Sequence, residues 1–369
     1  MPPLRFPEFT EEWKEQLSTH FFEYKNGLNP EAKRFGSGTK FISVMDILNN
    51  RYITYDKVIA SVEPKGNDLK EFGVNYGDVL FQRSSETLED VGRANVYLDT
   101  RTALFGGFVI RGRKIGDYDP LFFRYLLSSP HNRKRIIVKG AGAQHFNIGQ
   151  DGLSKVSLFV PSIEEQKQIG SLFNAIDERI ETQSRVIERL QSLMGGIIKR
   201  LTAQSPNTRI ADCLECHSST LQENQVNANG SYPVYGANGI CGYTESPDIQ
   251  SDAILIVKDG SGVGNVSFEC GEYSVIGTSN YLTAKNGYSL RFLYYCLMCF
   301  NFAPYKTGMA IPHIYFKDYG KAKIYCPAID EQEHIAKVLS MVERKIRIEQ
   351  AVLMKLASQK QYLLQQMFI

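Results

Sequence analysis

Four groups of residues have the types and spacing of chemical sites. Gly260-Ser261-Gly262-Val263-Gly264 follows an apolar run and has the composition of a phosphate-cradling loop. The next residues, Asn265-Val266-Ser267-Phe268, read as a strand, so no helix N-terminus follows to hold a pyrophosphate, and a tight hairpin is the better reading. Asp56, Glu63 and Lys65 imitate the carboxylate spacing of metal-dependent nucleases, a pattern common by chance. Two CxxC pairs, Cys213/Cys216 and Cys296/Cys299, have the spacing of four-cysteine zinc sites. They are 79 residues apart, neither sits in a Gly-containing knuckle, and the second lies inside the apolar run RFLYYCLMCF, so buried helix thiols outweigh a metal. The histidines, His20, His131, His145, His217, His313 and His334, form no metal-ligand spacing. A Walker A loop, HExxH, GxSxG and the NPPY- or DPPY-like tetrapeptide of amino-methylating enzymes are all missing. The chain therefore reads as non-catalytic, with no metal or cofactor of its own.

Charge is divided unevenly. Residues 1–157 carry 22 basic and 19 acidic side chains, a balance of +3, whereas residues 205–325 carry 8 and 10, a balance of −2. Phosphate neutralisation supplies most non-specific affinity for nucleic acid, so the second segment would need a charged patch on one face, or a partner, to hold a polyanion. The densest basic stretch, residues 124–139 with Arg133-Lys134-Arg135, is open between phosphate contact and a solvated helix end. All 7 cysteines lie in the second half, and an odd number without a secretory h-region argues for reduced thiols. The most apolar run, residues 292–302, is about half the length that crosses a bilayer, and a soluble, cytoplasmic chain is expected.

The elements that position these residues are duplicated. A shift of 166 places Gly142 on Gly308, Ile148 on Ile314, Lys155 on Lys321, Pro161 on Pro327 and Glu165-Gln166 on Glu331-Gln332. In each copy the last residues open a seven-residue apolar period. The first seam is Ile169, Phe173, Ile176, Ile180, Gln183, Ile187 and Leu190; the second is Ile335, Leu339, Val342, Ile346, Glu349, Leu353 and Leu356. About 39 residues at ~1.5 Å each give rods of roughly 58 Å, long enough to set a distance. Ser162 to Glu165 and Asp330 to Glu333 have the capping-box spacing at the two helix entries. Gln183 and Glu349 sit near the seam midpoints and would face each other if the helices pack antiparallel.

Ahead of each helix lies a globular module of short strands and one amphipathic helix. In the first, FISV (41–44), DVLFQR (78–83), ANVYL (94–98) and GGFVI (106–110) precede DPLFFRYLLSS; in the second, SDAILIVKDG (251–260), GNVSF (264–268) and NYLTA (280–284) precede SLRFLYYCLM. Final strands KVSLFV (155–160) and KAKIYC (321–326) run into the long helices. The expected division is a module at 1–160, a helix at 161–203, a module at 204–326 and a helix at 327–369, an α+β architecture.

In this order, LRFPEFTEEW at the start, VPSIEEQKQI and CPAIDEQEHI at the helix entries, GSYPVYGANGICGY opening the second module and DAILIVKDGSGVGNVSF after it resemble the specificity subunit of type I restriction-modification systems, over essentially the whole chain. The resemblance implies two target recognition domains on an antiparallel coiled-coil spacer with pseudo-twofold symmetry, each reading one half of a bipartite, asymmetric DNA sequence. It implies partners: double-stranded DNA, two adenine methyltransferase subunits docked around the spacer, and restriction subunits. S-adenosylmethionine, and ATP with Mg for cleavage, would belong to those partners. Half-sites about one helical turn apart, ~34 Å, are the expected scale.

Within that family reading, polar loop residues are the candidates for DNA contact. Base edges are read by Arg, Lys, Asn and Gln, and hydroxyls and amides hold phosphates. The first module offers Arg83, Ser84, Ser85 and Arg93, with Gln144, His145 and Asn147; the second offers Lys258, Ser261, Lys306, His313, Tyr315 and Lys317, with Thr278, Ser279 and Asn280 as lesser members. The bland reading of each is a solvated turn or local cap. A non-catalytic scaffold for protein partners is the competing function, and the acidic balance of residues 205–325 fits it.

Overall fold

The computed structural model describes residues 1–142, 145–308 and 311–369. The run Val79–Gln82 is buried at every position because it is an inner strand of a four-stranded antiparallel sheet, in the order Phe22–Asn26, Val109–Lys114, Val79–Gln82, Ala94–Val96. The run Ala253–Val257 is likewise buried throughout and occupies the same place in a second sheet, in the order Leu214–Ser218, Ser279–Ala284, Ala253–Val257, Val266–Glu269. Near-continuous apolar strands are what sheets covered on both faces require. The connectivity is identical in the two, so the duplication extends upstream of the residues that align at the shift of 166.

The chain divides into two units, Met1–Ser184 with Val352–Ile369, and Arg185–Ala351. The fold is α+β. In the first unit the helix Pro120–Ser128 starts on Asp119, whose Oδ1 accepts the Phe122 N–H at 2.7 Å, and Pro120 supplies a favourable first residue. Its Phe122, Phe123, Tyr125 and Leu126 are all at 0% exposure in one core with Phe22, Phe81 and Val96. Burying each such side chain contributes roughly 1.5–3 kcal/mol. In the second unit Ser289 caps Leu290–Met298, and Phe292, Leu293, Tyr295 and Leu297 enter a core with Ile254, Ile256 and Leu282. The pair Lys14–Leu17 with Ser157–Val160, and its counterpart Thr208–Arg209 with Lys323–Ile324, tie the first strand of each globular module to the strand before the long helix that follows it.

The first long helix is Ile163–Thr202 and the second Ile329–Gln366, 40 and 38 residues. Within the first unit they run antiparallel: the Phe173 ring lies 5.6 Å from Phe368, and Asp177 pairs with Lys360 at 2.6 Å. Within the second unit Ile198 shares a core with Ala336 and Leu339. Ile169, Phe173, Ile187, Leu339 and Ile346 are buried, while Ile176, Ile180, Gln183, Leu190, Ile335, Val342, Glu349, Leu353 and Leu356 are half-buried. Gln183 belongs to the first unit and Glu349 to the second. Helix runs unbroken through Gly195-Gly196.

The two helix entries differ from the expected capping boxes. Ser162 Oγ accepts the Glu165 N–H at 3.4 Å, but the Glu165 carboxylate, at 0% exposure, does not reach back. It is taken by Arg5 in two bonds of 2.6 Å and by Trp13 Nε1 at 3.3 Å, which gives the LRFPEFTEEW segment its anchor. The second helix starts at Ile329, so Asp330 is inside the first turn and not at the cap; the N–H groups of Glu331 and Gln332 both bond the Ala328 carbonyl. Asp330 and Glu331 act there through the helix dipole.

Candidate nucleic-acid interface

At the end of each inner strand the chain pairs with a hairpin that the duplication had aligned. In the first unit Ala141 and Asn147 exchange two backbone hydrogen bonds of 2.9 Å, and the Ile148 N–H bonds the Arg83 carbonyl at 2.9 Å. In the second, Thr307 and His313 exchange bonds of 2.9 and 2.8 Å, and the Ile314 N–H bonds the Lys258 carbonyl at 2.9 Å. Glycine is required in both hairpins. Gly142 and Gly308 have φ of 143° and 89°, and a Cβ on them would come within 2.0 Å of the His145 carbonyl oxygen and 2.3 Å of that of Ile311.

This pairing gathers candidates from distant parts of the sequence. Ser84 and Ser85 form a short antiparallel ladder with Asn147 and Phe146, and Ser84 Oγ donates to Asn147 Oδ1 at 2.5 Å. Arg83 donates its backbone N–H to the Phe108 carbonyl at 2.9 Å and Nη1 to the Gly107 carbonyl at 3.3 Å. His145 is exposed, and Gln144 lies outside the described residues. In the second unit Asp259 bridges to His313, Asp259 Oδ1 stands 3.6 Å from His313 Nδ1, and the Gly260 N–H bonds the Pro312 carbonyl at 3.0 Å. Ser261 and Lys306 are exposed; Tyr315 is 47% exposed with Lys317 Nζ 5.2 Å from its ring. The glycine-rich segment is the turn of the hairpin between Ala253–Val257 and Val266–Glu269, with Gly260 and Gly264 at φ of 96° and 91°.

Other candidates are placed elsewhere. Arg93 is paired with Asp90 at 2.6 Å and lines a cleft of about 370 Å³ with Glu89, Arg124 and Arg133. Ser279 and Asn280 are 2% and 5% exposed, because they lie in the inner strand beside Ala253–Val257, and Asn280 accepts from Ser218 Oγ at 2.9 Å. The basic stretch is largely used within the fold. Arg124 Nε donates to the Arg51 carbonyl, Arg133 Nη2 to the carbonyls of Glu89 and Val91 at 2.8 and 2.7 Å, and Arg135 Nη1 to that of Ile369 at 2.9 Å. Burial, with Arg93 nearby, pushes the Arg133 guanidinium down to about 10. Lys134 and Lys139 remain exposed.

One residue on the paired edges was not among the sequence candidates. Phe108 is 70% exposed, although GGFVI had the pattern of a core strand; the strand itself begins at Val109. Asp259 lies in the candidate loop that holds Lys258 and Ser261. Only the pairing to His313 makes it a neighbour of the other polar side chains.

The remaining motifs contribute no site. Asp56 is bound by Arg101 at 2.9 and 2.8 Å. Cys213, Cys296 and Cys326 are buried in the second unit's core, where burial raises the Cys296 thiol, and among the described residues no group of His, Cys, Asp or Glu side chains is placed to hold a metal ion. Among the same residues no helix is long and apolar enough to cross a membrane.

Fold and edges together define an α+β protein built from two like units, each presenting polar side chains where a hairpin pairs with the end of an inner strand. Residues 207–357 match the family described as type I restriction modification DNA specificity domain. A Methanocaldococcus jannaschii protein named as the MjaX specificity subunit of a type I restriction enzyme is 25% identical over 201 residues, 53% of this chain and 46% of that one. The EcoprrI specificity subunit of Escherichia coli is 26% identical over 108 residues, 29% and 27% of the two. The matched region is thus under half the length of these curated relatives. The crystal structure of a type I restriction-modification S subunit from M. genitalium covers 100% of this chain and 99% of its own at a TM-score of 0.69 and 19% identity, a likeness of fold. Residues 207–357 thus match a type I restriction modification DNA specificity domain, and the fold of the chain is like that of a solved S subunit.

Proposed function

We propose that the chain reads a bipartite, asymmetric DNA target, one half through each unit, and docks adenine methyltransferase subunits, with restriction subunits joining for cleavage. S-adenosylmethionine, and ATP with Mg, belong to those partners. The observation that carries the reading is the repeated edge: one backbone pairing scheme presents Arg83, Ser84 and Asn147 in one unit and Lys258, Asp259 and His313 in the other. A shared frame with different side chains is what reading two different half-sites requires. The two long helices, each roughly 60 Å by their residue count, suit a spacer between half-sites.

The test is to express the chain with its methyltransferase partner in a host without adenine methylation and map the modified adenines. The expected outcome is two short defined sequences separated by a fixed number of unspecified base pairs. Undirected methylation, or one continuous motif, overturns the reading. The acidic balance of residues 205–325 favours a protein scaffold instead. Binding of the purified complex to duplex DNA that weakens linearly with log salt excludes that alternative, because only phosphate contacts release counterions in this way.

A further inference from the structure

The two paired edges carry different side-chain couples at one register position. The Ile148 N–H on the Arg83 carbonyl and the Ile314 N–H on the Lys258 carbonyl, both at 2.9 Å, fix the correspondence. Ser84 then stands opposite Asn147 where Asp259 stands opposite His313. None of the four is enclosed: Asn147 is exposed, Ser84 half-buried, and the Asp259 and His313 side chains are 38% and 33% exposed.

The couples differ in what they offer a ligand. Ser84 Oγ donates to Asn147 Oδ1 at 2.5 Å, and Asn147 Nδ2 donates to the His145 carbonyl at 3.3 Å, so the amide is held with its acceptor and donor ends assigned. Oδ1 keeps a second lone pair and Nδ2 a second N–H. Side by side, these match the N6 amino group and N7 of adenine in the major groove. In the second unit His313 takes the place of Asn147 and Asp259 that of Ser84, with Asp259 Oδ1 3.6 Å from His313 Nδ1; the Asp259 carboxylate only accepts, and the usual major-groove partner of a carboxylate is the N4 amino group of cytosine.

We infer that this register position selects one base in each half-site: Asn147, oriented by Ser84, selects adenine, and Asp259 selects cytosine. The inference rests on the DNA-reading function proposed above. Ser84 is a positioning residue, since it acts through the Asn147 amide.

The test uses the full chain in its methyltransferase complex, with adenine-methylation mapping as the readout. Asn147→Asp is expected to convert one adenine to cytosine in one half-site and leave the other half-site unchanged. Asp259→Asn is expected to convert one cytosine to adenine in the opposite half-site. Ser84→Ala is expected to relax the preference at the Asn147 base alone, with Ser84→Thr restoring it. Variant complexes that mark the wild-type sequence, or that change both half-sites at once, overturn the assignment.

Should a variant complex mark nothing, wild-type protein decides. Replacing adenines of the target one at a time by 7-deazaadenine removes N7, and at one position of one half-site binding is expected to weaken roughly 10- to 100-fold. No sensitive adenine overturns the assignment. A wild-type complex that marks no defined sequence removes the underlying reading itself, and the assignment falls with it.

Discussion

Tyr125 donates its hydroxyl to Asp177 on the first long helix at 2.8 Å, and Tyr295 makes the same bond to Glu343 on the second at 2.9 Å. A second attachment lies one helical end away. The Asp119 N–H donates to Gln166 Oε1 at 3.0 Å while Gln166 Nε2 donates to the Pro161 carbonyl at 3.0 Å; Ser289, Gln332 and Pro327 repeat this at 3.0 and 2.8 Å. Each amphipathic helix is therefore fixed to the long helix that follows it at two points. This gives the duplicated Glu-Gln pair a physical purpose: the glutamine, 3% exposed in one copy and 2% in the other, joins a helix start to the turn that launches the next helix.

Replacing Gln166 or Gln332 by alanine leaves a part-buried N–H and a carbonyl, buried at Pro161 and part-buried at Pro327, without their partner. Leaving a buried polar group unsatisfied costs about 1–3 kcal/mol, so each variant is expected to lose up to about that much in denaturant unfolding of the full chain, Gln166→Ala more than Gln332→Ala. Tyr125→Phe, which loses one bond, is expected to lose less. Equal stability of Gln166→Ala and wild type would show that water replaces both bonds.

Two glycines in the first long helix separate propensity from packing. A Cβ on Gly170 would lie 2.7 Å from Asp119 Oδ1 and 2.9 Å from the Phe122 nitrogen, whereas one on Gly195 meets nothing within 4 Å. Alanine in a helix interior is favoured over glycine by roughly 0.8–1.0 kcal/mol, while overpacking costs about 1–3 kcal/mol. Gly195→Ala is expected to raise the unfolding midpoint and Gly170→Ala to lower it. A rise for Gly170→Ala would mean that the helix start at Asp119 yields without strain.

The long helices and the inner apolar strands were legible because each rests on a local pattern: seven-residue apolar spacing in the one case, short apolar runs in the other. The fates of the arginines were not. Arg124, Arg133 and Arg135 look like one basic surface in sequence, yet each finds a backbone carbonyl 40 or more residues away or on another element. Asn280 opens the strand expected at 280–284, but its burial is not visible until the strand beside it is known. Of the candidate contacts, the loops were visible from composition, but their pairing was not, since the bonds joining Arg83 to Ile148 and Lys258 to Ile314 depend on chain returns that no local pattern encodes.

Arg101 organises a small acidic site in the first unit, bonding Asp56 through both terminal nitrogens and Asp99 at 3.1 and 3.0 Å. The hydrogen bond from Arg101, joined by the backbone N–H groups of Arg101 and Tyr55, holds the Asp99 carboxyl well below the usual carboxylate range. A folded value below the unfolded one, near 3.9, means that this stabilisation is complete above about pH 5 and is lost as the pH falls below about 4 toward the folded value. Arg101→Ala is expected to raise the Asp99 titration midpoint, followed by NMR, and to move acid unfolding to higher pH. An unmoved Asp99 midpoint would assign the depression to the Tyr55 N–H instead.

Arg83 offers a way to tell a base reader from a phosphate anchor. Its backbone is fixed by the Phe108 carbonyl and one guanidinium N–H by Gly107, which leaves the other donors of the fork unassigned by any bond described above. If the fork meets a base edge, Arg83→Ala lowers discrimination at one base pair by about 1–3 kcal/mol and leaves the slope of log affinity against log salt unchanged. If it meets phosphate, affinity falls evenly across sequences and the slope drops by about 1. The position beside exposed Phe108, at the end of a strand and next to the Ser84 and Asn147 ladder, favours the first outcome. Competition binding with variants of one half-site at several salt concentrations separates the two, and a change confined to the other half-site would place Arg83 outside the interface.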